Sequence, residues 1–149
     1  MHILAFILVL AGSLQQPTPQ QPEHCSGHAD DGKSPVDILL TTNCVFDRAV
    51  GYAGRRTPAY NAFSQLYKGG TASVSDAKRL LVDGTPEGRI YGLLILRHVA
   101  PAEAEAPATQ MLQQGTPVWV MNGCIADGYS MGKVVDRIRK GEFVIWLPE

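Results

Sequence analysis

The sequence has almost no excess of charge of either sign. Its 13 Lys and Arg against 14 Asp and Glu leave a formal net charge of −1, and charged residues are only 18% of the chain. A dedicated nucleic-acid binder carries a basic excess, so the balance argues against that class. Cysteine is scarce too, and three residues are too few for a disulfide-dense miniprotein. The leading apolar run is far shorter than the roughly 20 residues a membrane-spanning helix needs. There is no Gly-rich phosphate loop, no H-E-x-x-H, no EF-hand and no paired C-x-x-C. What is present is 45% hydrophobic residues in 149, enough for one globular domain and too apolar for a disordered chain.

The apolar run Ile3 to Leu10 has the length of the apolar region of a signal peptide, and Ala11 and Ser13 suit a small-residue cleavage site. No Lys or Arg precedes the run, only the amino terminus and His2. A buried N-terminal strand is the alternative reading. Leu10-Ala11-Gly12 is followed by Ser13 rather than Cys, so no lipid anchor is expected. Residues 1–13 are therefore read as a signal peptide, and the mature protein as exported to the periplasm or beyond, with no membrane span. Residues 14–33 alternate Gln and Pro and read as a flexible linker, because they bury too little apolar area to offset the entropy of ordering. Residues 34–149 read as a single helix-rich domain.

Ser34-Pro35-Val36-Asp37 is a helix start: Ser34 caps, Pro35 fits the first turn and Asp37 complements the helix dipole. Val36, Leu39, Leu40, Cys44 and Val45 continue the helical spacing, which predicts a helix to about Val50, ended by Gly51 and Gly54. Thr57-Pro58 and Thr85-Pro86 open two more helices, with another from Ser73 or Ser75. Pro101 stops the helix through Ile90–Leu96, and Pro107 permits at most a broken helix beyond it. The Thr-Pro spacing hints at a helix-pair repeat, but Thr116-Pro117 leads into a strand instead. Val118 to Met121 is β-branched and aromatic, and Asn122-Gly123 is a tight-turn dipeptide. Ser130 caps a last helix through Ile138, with Asp136 and Lys140 paired on its outer face and Gly141 at its end. Phe143 to Leu147 reads as a strand pairing with Val118–Met121, each carrying a tryptophan, Trp119 and Trp146. The expected fold class is α+β and mainly α: about five short helices, a small C-terminal antiparallel sheet and one last helix.

Val50-Gly51-Tyr52-Ala53-Gly54, and above all Gly84-Thr85-Pro86-Glu87-Gly88-Arg89-Ile90-Tyr91-Gly92-Leu93, resemble stretches that recur in small exported bacterial proteins of uncharacterised function. The resemblance covers Val50 to Leu96, with an echo at Gly123-Cys124. It implies an extracytoplasmic bacterial helical domain and carries no activity or functional residue with it.

Export implies an oxidising space in which cysteines can pair. The expected disulfide is Cys44–Cys124, since both lie within the domain, with Cys25–Cys44 and Cys25–Cys124 as rivals. One thiol is left over in each case. His24, Cys25 and His28, close to Asp30 and Asp31, form a candidate metal-binding group for zinc or copper, against the plainer reading of a polar linker. Gly128-Tyr129-Ser130-Met131-Gly132 matches the G-x-S-x-G pattern of esterases, but no His follows Ser130, so a helix cap is the plainer reading. His98 falls near a helix C-terminus, where a protonated imidazole is favoured. Arg55-Arg56 and Arg137–Lys140 read as solvated faces rather than a phosphate track. These features lead to an exported, non-enzymatic bacterial domain that binds an unidentified protein or envelope component and uses no cofactor. The alternatives are metal binding through His24, Cys25 and His28, and a small envelope hydrolase using Ser130 with His98.

Overall fold

In the computed structural model the described residues are Cys25, 32–143, Ile145 and 147–149. The expected signal peptide and most of the expected linker lie outside them. Six helices and a three-stranded sheet follow in the order α1 (Pro35–Leu40), β1 (Val45–Val50), α2 (Pro58–Lys68), α3 (Val74–Asp83), α4 (Pro86–Val99), α5 (Pro101–Leu112), β2 (Pro117–Gly123), β3 (Ile125–Ser130) and α6 (Met131–Lys140). The fold is α+β and mainly helical, as the spacing and caps predict.

Ser34, Thr57, Thr85 and Ser130 all cap helices with their side-chain oxygens. The first helix is shorter than its apolar spacing predicts. It ends at Leu40, whose carbonyl accepts the Thr85 amide at 3.1 Å. A continuing helix would have given that carbonyl to Cys44. The Thr42 hydroxyl bonds the Cys44 carbonyl at 3.0 Å, a local side-chain bond of the kind that competes with helix. The chain from Val45 is therefore strand β1, not helix.

β1 pairs parallel with β2, and β2 pairs antiparallel with β3, giving the order β1-β2-β3. The expected partner of β2, Phe143–Leu147, is displaced from that role by these two strands. Phe143, Ile145 and Leu147 are not in a strand, while Val144 and Trp146 lie outside the described residues. Pro107 sits inside α5 without breaking it. The missing N–H removes one helical bond, and the alanine-rich sequence keeps high helix propensity while Ala104, Ala108 and Met111 are buried.

Helix α4 is the centre of the core. Every residue from Ile90 to Leu96 is buried, so the helix has apolar neighbours all round. α6 buries Met131, Val134, Val135 and Ile138, and shows the expected Lys140–Asp136 pair at 2.8 Å outside. Gly141 ends it with φ at 71°.

Candidate functional site

Residues 84–93 form a structural lock. The Thr85 hydroxyl donates to the Thr42 carbonyl at 2.6 Å and accepts from the Gly88 amide at 3.1 Å. Glu87 is buried and its Oε1 accepts the Trp119 amide at 2.9 Å. The Tyr91 hydroxyl accepts the Phe46 amide at 2.7 Å. A Cβ on Gly88 would lie 2.5 Å from the Leu39 carbonyl oxygen, and one on Gly92 would lie 2.9 Å from that of Ala77. The polar side chains and glycines of this segment thus tie α4 to α1, α3, β1 and β2, which accounts for them without chemistry.

The disulfide is Cys25–Cys44, with Cα atoms 5.1 Å apart, not Cys44–Cys124. Cys44 is fully buried at the start of β1, whereas Cys124 is exposed in the β2–β3 turn and carries the free thiol. Cys25 is half-buried against the core, so the expected linker is pinned at that point. With its sulfur in a disulfide, Cys25 cannot serve as the thiolate of the proposed metal group, and His24 and His28 lie outside the described residues.

Ser130 and His98 do not come together. Ser130 caps the first turn of α6, accepting from the Lys133 amide at 3.4 Å. The end of α4 meets the other end of α6, where the Arg97 guanidinium donates to the Arg139 carbonyl at 3.3 Å. At about 1.5 Å per residue, the two ends of α6 are some 13 Å apart. The motif glycines have packing roles as well. The Trp119 ring lies against Gly128, and a Cβ on Gly132 would run into the Leu112 carbonyl. His98 is exposed in the last turn of α4, as expected, and stacks on Tyr67 with ring centroids 3.9 Å apart. Burial raises the pKa of Tyr67. The pair lines a cleft of about 340 Å³ with Leu94, Ile138 and Phe143.

A different surface gathers side chains that the core does not use. Residues 51–54 form a turn closed by two Val50–Arg55 backbone bonds of 3.0 Å. Gly51 and Gly54 have φ of 70° and 58°, a region an L side chain rarely adopts, so the turn depends on both. Between them Tyr52 is fully exposed, at 104%. The Gly51 amide donates to the Gly123 carbonyl at 2.9 Å, which sets this turn beside the β2–β3 turn. There Cys124 is exposed and Ile125 is 65% exposed. Arg55 and Arg56, at the base of the turn, are exposed with no ion pair among the described residues. Beside Ile125, a groove of about 420 Å³ runs between the β2–β3 hairpin and α6, lined in part by Asp127, Tyr129, Val134 and Arg137. The sequence signal for this surface was Gly51-Tyr52-Ala53-Gly54, an aromatic residue held between two glycines, which periodicity alone reads as the end of a helix.

No family model, no curated protein and no solved structure matches this chain.

Proposed function

We propose that this chain is an exported bacterial domain without catalytic activity. It binds an envelope or extracellular macromolecule through the end of the sheet formed by the 51–54 and 123–125 turns. The observation that carries the reading is Tyr52, wholly exposed on a turn whose backbone is fixed by two glycines and four hydrogen bonds. A turn whose backbone is already fixed spares a partner the cost of ordering the loop, and tyrosine and arginine are enriched among the residues that dominate the energetics of interfaces. Ile125, at the start of β3 next to the adjoining turn, adds exposed apolar area, and Arg55 adds charge. The Cys25–Cys44 disulfide supports the export half of the reading, because such bonds persist in oxidising compartments.

The free thiol offers a direct test. Cys124 in the otherwise unaltered protein is labelled with a benzophenone maleimide and irradiated with envelope and culture-medium fractions of the source cells. A discrete crosslinked macromolecule is expected, and it should be lost in Tyr52→Ala. The comparison is a label on Val82→Cys in a Cys124→Ser background, at a residue 71% exposed on α3. The same species captured equally from both positions, or none from Cys124, would overturn the reading.

A further inference from the structure

We infer that the outer edge of β3 receives an extended segment of a partner protein as an added strand, with alternate side chains entering the groove beside α6. This inference rests on the proposed binding function and names the class of partner.

The direction of the edge follows from one bond. A residue in a strand points its N–H and C=O to the same side, and opposed residues in an antiparallel pair alternate between bonded and non-bonded. The Trp119 amide donates to Glu87, on the side away from β3. The Gly123 carbonyl accepts from Gly51 on that same side. Trp119 opposite Gly128 and Met121 opposite Ala126 are therefore the non-bonded pairs. Val120 with Asp127 and Val118 with Tyr129 are the bonded ones. The N–H and C=O groups of Ala126 and Gly128 thus face outward, and no strand pairs with them among the described residues. Such a row is a template for another strand.

The groove sets the chemistry of the visitor. Ile125, Asp127 and Tyr129 share one face of β3, and all three line the groove. An added strand would set its own alternate side chains beside them. Ile125 favours an aliphatic side chain. At the other end Lys133 Nζ lies 5.2 Å and Arg137 Cζ 5.8 Å from the centre of the Tyr129 ring, which favours an acidic one. Between them Asp127 accepts from the Tyr129 hydroxyl at 3.2 Å. The fit is an extended segment alternating aliphatic and acidic residues on one face. A second copy fits less well, because antiparallel pairing of two β3 strands about their middle would set the two Asp127 side chains against each other.

The test is selection of a random phage-displayed peptide library on the immobilised full chain, followed by binding of a synthetic selected peptide. Selected peptides should lack proline and alternate aliphatic with acidic residues. In amide-exchange NMR the peptide should protect Ala126 and Gly128. Ala126→Pro removes an outward N–H and leaves the β2 bonds in place, and should weaken binding by at least about tenfold. Lys133→Glu with Arg137→Glu should also weaken it, while Val82→Ala should not. Circular dichroism confirms that each variant is folded. Equal binding to Ala126→Pro, protection elsewhere, no enriched sequence, or a concentration-dependent dimer that Ala126→Pro dissolves would each overturn the inference. The two readings fail separately. Capture of a macromolecule from Cys124 that survives Ala126→Pro sinks the added strand alone, whereas no capture from Cys124 sinks the binding function itself.

Discussion

The buried carboxylate of Glu87 on α4 accepts the backbone amide hydrogen of Trp119 on β2 at 2.9 Å. Register pairing of β1 with β2 begins only at Val45 and Val120, so at Trp119 the side chain of Glu87 takes the place of a neighbouring strand. Glu87→Ala leaves a half-buried N–H without that acceptor and should cost about 1–3 kcal/mol. Glu87→Gln keeps an oxygen in reach and should retain most of the stability. Urea unfolding of the two variants beside the parent checks the difference.

The same bond fixes which amides of β3 face outward. In the free protein the Ala126 and Gly128 amides should exchange with solvent at least about tenfold faster than those of Asp127 and Tyr129, which bond to β2. Residue-resolved hydrogen exchange by NMR reads this pattern, and the reverse order would show the register to be shifted by one residue.

Glycine at position 88 is required by close packing rather than by backbone angle. A methyl group there would meet the Leu39 carbonyl oxygen at 2.5 Å. Alanine ordinarily gains about 1 kcal/mol over glycine within a helix. Gly88→Ala should instead lower stability by about 1–3 kcal/mol, because backbone cannot yield as a flexible side chain can. Gly115 has open space around its Cβ position, so Gly115→Ala should change the melting temperature little.

Alkaline pH should act through Tyr91. Complete burial raises its pKa well above the usual phenol value of about 10, and desolvation outweighs the hydrogen bond from Phe46, which acts the other way. A raised folded-state pKa means that the native protein holds a proton the unfolded chain gives up. The stability contribution is therefore complete below about pH 10 and is lost as pH climbs toward the folded value, at up to about 1.4 kcal/mol per unit. Burial shifts Tyr60 and Tyr67 in the same direction. Denaturant unfolding at about pH 8 and about pH 11 should show a steep decline for the parent and a shallower one for Tyr91→Phe. The variant should start about 1–3 kcal/mol lower, since the Phe46 amide loses its acceptor.

Most helices were legible because their signals are local. Thr57, Thr85 and Ser130 stand where a cap is needed, and Gly141 stands where a left-handed residue ends α6. β1 was not legible: Val36, Leu39, Leu40 and Cys44 keep helical spacing, and what ends the helix is Thr85, taking the Leu40 carbonyl from 45 residues away in sequence. Parallel pairing of Val45 with Val120 likewise leaves no local trace. β3 was hidden by composition. Ile-Ala-Asp-Gly-Tyr-Ser has weak strand propensity, and the strand is held by the Gly123-Cys124 turn, one residue beyond the Asn122-Gly123 dipeptide the sequence suggests, and by Trp119 packed on Gly128. The cysteine pairing turned on burial, since Cys124 sits on an exposed turn while Cys44 is enclosed. Of the proposed binding surface, only the Gly51-Tyr52-Ala53-Gly54 pattern stood out in the sequence, and the exposure of Tyr52 and Ile125 did not, because exposure is a property of the assembled turns.

The measurement that bears most directly on the binding function is the affinity of the macromolecule captured through Cys124 for the parent protein, Tyr52→Ala and Val82→Ala. An anchor at the centre of an interface contributes about 2 kcal/mol or more, so Tyr52→Ala should weaken binding about thirtyfold, while Val82→Ala binds as the parent does. Undiminished affinity in Tyr52→Ala, with the fold intact, would contradict the assignment of this end of the sheet as the binding surface.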